Sequence, residues 1–211
     1  MAKFRDEVFI RNTLPELLGI LESTVIIALS GRRKAGKTKS AEIICAFDPS
    51  FQKMSFADTL KNEYASEVGC LRADLDNTIY KEEHRIALQQ FSESYLAADP
   101  YYFVRKLFLD VIPGSKVVID DNRYLAELRT VWSAGGACYK VDTDIDVKRL
   151  TRGWQKNKEA DAHISETELG DLCAHTMYCL GGGIIFNNGS LLKLEERLFE
   201  IVKKTLYAGV C

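Results

Sequence analysis

No run in this sequence approaches the roughly 20 apolar residues that span a bilayer, so a soluble protein is expected. Charge of one sign is not in excess either. A formal net charge of −2 argues against a dedicated nucleic-acid binder, which would carry a basic surplus. The six cysteines form no C-x-x-C pair and meet no histidine at zinc-finger spacing, so they read as free, mostly buried thiols in a reducing compartment. His84, His163 and His175 show neither metal nor triad spacing, and no serine or cysteine sits in a nucleophile elbow. Asp6, Glu7, Pro15, Glu16 and Glu22 interrupt any apolar stretch near the start, so residues 1–23 do not read as a secretory signal, and a cytoplasmic location is expected. Internal repeats and low-complexity linkers are missing.

The 211 residues suffice for one compact core. Residues 1–23 read as an extension in which Leu14, Leu17, Leu18 and Leu21 have the spacing of a short packed helix. Residues 24–211 read as a single domain. Val25–Leu29, Val117–Ile119, Ala137–Val141 and Ile184–Phe186 are apolar runs typical of strands buried on both faces, and Lys53–Phe56 is a shorter candidate. Helical patterns fall between them, at 37–46, 58–68, 80–97, 101–111 and around Leu125–Trp132, with a last one from Leu191 to Val202. Strands alternating with helices predict an α/β fold, a parallel sheet covered on both sides in three layers, with ligands beyond the carboxyl ends of the strands.

One motif carries the chemistry. Gly31-Arg32-Arg33-Lys34-Ala35-Gly36-Lys37-Thr38 satisfies G-x-x-x-x-G-K-[ST], follows a buried strand and opens a helix, which is the context of a P-loop. The glycines let the backbone approach a polyphosphate, and successive N–H groups with the helix N-terminus cradle its oxygens. Lys37 is placed to reach the terminal phosphates and Thr38 to ligate Mg²⁺, so ATP and Mg²⁺ are the expected cofactors; Arg32, Arg33, Ala35 and Lys39 complete the loop. The cations Arg32, Arg33 and Lys34 suit a site that gathers two anionic substrates. Asp120 and Asp121 close the second buried strand, where a carboxylate binds Mg²⁺ through water, and Arg123 follows within reach of an acceptor phosphate. Lys148-Arg149-x-x-Arg152-Gly153 lies where a lid, placed around 144–165, would close over the phosphates. Lys81 and Arg85 stand four apart on one helical face.

Ser30 to Lys37 resembles the S-G-K-R-K-S-G-K loop of animal-type phosphomevalonate kinases. The likeness continues through Leu60–Ala65, Tyr80-Lys81-Glu82 with Arg85, Ala98-Asp99-Pro100 with Phe103, Asp121-Asn122-Arg123 and Arg149-x-x-Arg152-Gly153-Trp154. It implies a nucleoside-monophosphate-kinase-like P-loop fold and transfer of phosphate from ATP to (R)-5-phosphomevalonate. It gives Lys37 and Lys34 roles in transfer, Lys81, Arg85 and Arg123 contacts to the acceptor with Asp121 beside them, and Arg149 and Arg152 places in the lid. The chain departs from the family at Leu96 and Tyr124, where arginines stand, and at Thr38, where an aspartate stands. His163-Ile164-Ser165-Glu166-x-x-Leu169 and Asn187-Asn188-Gly189-Ser190-Leu191 resemble instead the phage-type deoxynucleoside monophosphate kinases, and place Asn187 near the adenine. The acceptor therefore stays open between phosphomevalonate and a nucleotide; a nucleotide-binding switch without transfer activity is the remaining reading, though N-K-x-D and D-x-x-G are absent. A small phosphorylated molecule is the expected partner, with no nucleic acid or membrane, and a monomer or weak homodimer the expected state.

Overall fold

A computed structural model describes residues 6–144, 168–169 and 174–207, apart from the side chains of residues 78, 81, 82, 174, 175 and 207. Five parallel strands form one sheet: β1 Val25–Ser30, β2 Phe51–Met54, β3 Lys116–Asn122, β4 Ala137–Asp142 and β5 Gly183–Phe186, in the order β2-β3-β1-β4-β5. The first strand made is thus central, with strand partners on both sides and helices over both faces. That explains its unbroken apolar sequence.

The helices are α1 Glu7–Thr13, α2 Leu18–Ser23, α3 Lys37–Phe47, α4 Phe56–Val68, α5 Thr78–Glu83, α6 Arg85–Ala98, α7 Tyr102–Leu109, α8 Leu125–Ser133, α9 Ala174–Cys179 and α10 Leu191–Tyr207. Side chains alternate across each strand. Ile26, Ala28, Val117 and Ile119 join α7 and α8 in one core, while Ile27, Leu29 and Val118 join α3 and α10 in a second on the opposite face. A smaller cluster of Tyr64, Ala65, Leu75 and Leu88 fastens α4 to α6.

Within residues 6–23, Ile10, Leu14, Leu17 and Leu21 are buried in the same core as α7 and α8, each contributing about 1.5–3 kcal/mol by the area it removes from water. Arg105 on α7 fastens the segment further, pairing with Asp99 and Glu16 and donating to Thr13 O at 2.9 Å. The pattern read as one helix over 80–97 is two, α5 and α6, broken at His84, whose ring stacks on Tyr80 at 4.2 Å. The second strand ends at Met54 and Phe56 already opens α4, because the Asp121 carboxylate accepts hydrogen bonds from Phe56 N and Ala57 N. Among the described residues Cys45, Cys70, Cys138 and Cys179 are free thiols. Cys138 is buried, which raises its pKa, whereas Cys179 is exposed.

Candidate active site

The P-loop lies between β1 and α3, and its path is dictated by sterics. Gly31, at φ +130°, passes so close to β4 that a Cβ there would lie 2.2 Å from Val141 O. Gly36, at φ +107°, would bring a Cβ to 2.4 Å from Asn187 Nδ2. Between them Lys34 has φ +65°, the one positive value for a non-glycine among the described residues, and such strain persists only where surrounding structure enforces it. Asn187, from the loop after β5, is part of that enforcement: its Nδ2 donates to Ala35 O at 2.8 Å, and its own backbone is tied to Asp142 O and to the Thr143 hydroxyl. The described contacts of Asn187 thus put it against the loop as a buttress.

Lys37 is buried and donates from Nζ to Gly31 O at 2.7 Å and Arg32 O at 3.0 Å, which holds its ammonium over the loop. Arg32 and Lys34 are exposed and Arg33 half-buried along the loop. The Lys39 ammonium turns to solvent and pairs with Glu42 at 3.2 Å. Thr38 donates its hydroxyl to Asp120. Burial first, and then the Asp121 charge, raise the Asp120 pKa; Thr38 and Lys53 oppose them. A buried carboxylate with that tendency gains from a nearby cation.

Asp120 and Asp121 face opposite ways and do different things. Asp121 is taken up in fixing α4: Oδ1 accepts from Phe56 N at 2.8 Å, and Oδ2 from Ala57 N at 2.7 Å and Ser55 Oγ at 2.9 Å. The expectation that either aspartate could serve a metal is therefore corrected for Asp121, whose oxygens are both engaged. No group of three or more His, Cys, Asp or Glu suited to a metal occurs among the described residues. The donor set fits a cation that arrives with a polyphosphate, held by the Thr38 hydroxyl and Asp120, better than a resident ion. The loop with its positive-φ residues, Lys37 and the dipole of α3 together fit a nucleotide polyphosphate.

A pocket opens on the other side of β3, walled by α4, α6, α7 and α8. Phe56, Leu60, Leu88, Phe103 and Tyr124 make it largely apolar, and Arg85, Arg123 and Gln89 supply polar groups. Arg85 and Arg123, assigned to the acceptor from the sequence, are brought together here. Lys61 also reaches it, but pairs with Asp76 at 2.7 Å and Asp58 at 3.6 Å. Buried Glu127 accepts from Arg123 N at 2.6 Å and Tyr124 N at 3.0 Å, fixing the turn that presents Arg123, and loss of hydration pushes its pKa up to about 8. Gln89, Ser92 and Glu127 had no motif to mark them; the signal available was their position one to two turns from Arg85 and Arg123 in amphipathic helices. The Lys81 side chain lies outside the described atoms. Past Asp144 the expected lid, with Arg149 and Arg152, lies outside the described residues, as does the His163–Glu166 motif.

The family model for phosphomevalonate kinase matches residues 29–136, just over half of the chain, from the end of β1 through the P-loop and the pocket to the turn after α8. The chain belongs to the phosphomevalonate kinase family. Members of this family are kinase-type phosphotransferases, and the matched span holds both the P-loop and the pocket across β3. Among solved structures, this family member is similar to TT1252 from Thermus thermophilus, at 13% identity and a TM-score of 0.52, with 86% of this chain and 97% of that one covered. It is also similar to dephospho-CoA kinase from Campylobacter jejuni, at 12% identity and a TM-score of 0.47, with 89% and 100% covered. The former likeness is one of fold and covers most of the phosphomevalonate kinase family chain. Among the described residues no helix is long and apolar enough to cross a membrane.

Proposed function

We propose that this protein transfers the γ-phosphate of ATP to the phosphate of (R)-5-phosphomevalonate, giving ADP and 5-diphosphomevalonate. The observation that carries the proposal is the pairing, on the two sides of β3 and within the family match, of a complete P-loop with a pocket that gathers Arg85 and Arg123. Mg²⁺–ATP supplies the phosphoryl group when bound. Gly31 to Thr38, with Lys39 through its backbone, hold the polyphosphate; Asn187 keeps the loop in shape beneath the nucleotide. Thr38 and Asp120 hold the cation. Lys37 and Lys34 neutralise charge on the transferred group, a task that the resemblance assigns to Arg149 and Arg152 as well. Arg85, Arg123 and Lys81 bind the acceptor, with Asp121 acting through the α4 terminus it fixes. The apolar walls suit the branched carbon chain. No side chain need take a proton, since an acceptor phosphate is already anionic near neutral pH.

A second reading, a nucleoside monophosphate as acceptor, draws on the same pocket. Phe56, Phe103 and Tyr124 offer faces to a base, Gln89 offers a carboxamide, and Leu96 and Tyr124 stand where the family carries arginines. An ADP-release assay with Mg²⁺–ATP, offering phosphomevalonate and a panel of NMPs and dNMPs in parallel, separates the two. Turnover of phosphomevalonate alone is the expected result. Turnover of nucleotides alone would replace the first reading by the second, and turnover of neither would overturn both.

A further inference from the structure

Along the wall of the pocket across β3, α6 presents Arg85, Leu88, Gln89 and Ser92. They stand at i, i+3, i+4 and i+7, the spacing of one helical face. Phe56 and Leu60 of α4 and Phe103 of α7 make the adjoining walls apolar. Several polar groups at this wall already hold the protein together. Asp121 fixes the start of α4, Glu127 accepts from Arg123 N and Tyr124 N, and Lys61 pairs with Asp76 at 2.7 Å. The Ser92 hydroxyl donates back to Gln89 O at 2.9 Å. Gln89 is 9% exposed and brings to the same wall a carboxamide, a group that both donates and accepts. Pockets take their selectivity from a few such polar groups set among apolar ones.

Position along α6 decides what this group can meet. Arg85, with Arg123, marks the phosphate end of the pocket. Gln89 lies one turn further on, about 6 Å along the helix axis, and Ser92 about 10 Å. In phosphomevalonate the tertiary carbon that bears the hydroxyl is four bonds from the phosphorus, about 5 Å in an extended chain. An acceptor whose phosphate lies at Arg85 and whose carbon chain follows α6 therefore brings its hydroxyl level with Gln89. We propose that Gln89 is a specificity-determining residue whose carboxamide exchanges a hydrogen bond with the tertiary hydroxyl of the acceptor. The inference rests on the reading of this pocket as the phosphomevalonate site. A ligand without the hydroxyl would cover the carboxamide, displace water from it and leave that bond unmade, and a site built to hydrogen-bond a hydroxyl rejects such a ligand for this reason.

The test is a cycle of proteins against acceptors in the ADP-release assay at saturating Mg²⁺–ATP. The unaltered protein and Gln89→Met are each offered (R)-5-phosphomevalonate and its analogue lacking the tertiary hydroxyl. Methionine has the length and shape of glutamine without its amide, and Gln89→Leu repeats the cycle with a branched apolar side chain. Both variants should keep the circular dichroism spectrum and an ATP KM within about twofold, since the change lies across β3 from the P-loop. The unaltered protein should prefer phosphomevalonate by about ten- to a hundredfold in kcat/KM, and the variants by no more than about threefold. The loss should fall on phosphomevalonate, with the analogue turned over about as before. A preference that survives in the variants would overturn the proposal, as would an equal loss on both acceptors, which would make Gln89 a support of the helix only. Turnover of phosphomevalonate by the unaltered protein with either of those results removes Gln89 alone. No turnover of phosphomevalonate by the unaltered protein overturns the reading of the pocket, and the role of Gln89 with it.

Discussion

Replacing Glu127 by glutamine should remove a pH dependence of stability that one buried carboxyl imposes. Burial raises its pKa from 4.5 to about 8, the Asp121 charge adds to the rise, and the N–H groups of Arg123 and Tyr124 oppose it. In the unfolded chain the group returns to about 4.3. Between the two values the folded protein holds a proton that the unfolded chain has released, so stability falls as pH rises, by about 1.4 kcal/mol per pH unit. The contribution is whole below about pH 4.5 and lost above about pH 8. Glutamine keeps a carbonyl oxygen for the two backbone N–H groups and has no proton to lose. Other titrating groups are common to both proteins and cancel in the difference. Urea unfolding at about pH 5.5 and about pH 7.5 should therefore show the difference in unfolding free energy moving by about 2–3 kcal/mol toward the variant at the higher pH. A difference that stays constant across that range would refute the argument and mean that Glu127 is ionised in the folded protein.

Lys37→Ala should lower kcat about a hundred- to a thousandfold with an unchanged circular dichroism spectrum and unfolding midpoint, since its ammonium serves the loop and its ligand rather than the core. Asp120→Asn and Asp121→Asn should separate: the first should abolish the Mg²⁺ dependence of turnover with little loss of stability, while the second should cost about 1–3 kcal/mol by unseating α4, read by urea unfolding. Gly36→Ala should destabilise the protein by about 1–3 kcal/mol and weaken nucleotide binding, and adding Asn187→Ala should recover part of the loss by removing the group 2.4 Å from the new Cβ. Arg123→Ala should raise the acceptor KM while leaving the ATP KM within about twofold in steady-state kinetics.

The P-loop, four of the five strands and the two arginines that meet in the pocket across β3 could be picked out in the sequence because each rests on a local pattern: a contiguous apolar run, a glycine spacing, a four-residue helical step. What was missed depends on distant partners. Phe56 starts a helix and not the end of a strand because a carboxylate 65 positions away caps it. Leu14, Leu17 and Leu21 have the spacing of any amphipathic segment, and only α7 and α8 turn that segment into part of the main core. Asp120 and Asp121 look equivalent as a pair of strand-end acids; strand alternation, which points them to opposite faces, separates their roles. Gln89 and Glu127 carry no motif, and their burial in the pocket wall is a property of the assembled helices.

The central position of β1 has a consequence for synthesis on the ribosome. Its partners are β3, where Val25 meets Lys116, and β4, where Ile27 meets Ala137, and the helices against which residues 6–23 pack lie beyond position 101. The P-loop strand and the N-terminal leucines are therefore made first and sheltered last. A nascent chain halted before β4 would present a bare, strongly apolar strand edge, the kind of surface that pairs with other chains. Slow translation through the 100–140 region should thus favour aggregation or chaperone capture more than a pause placed after β4, and a release assay on stalled chains would resolve the two.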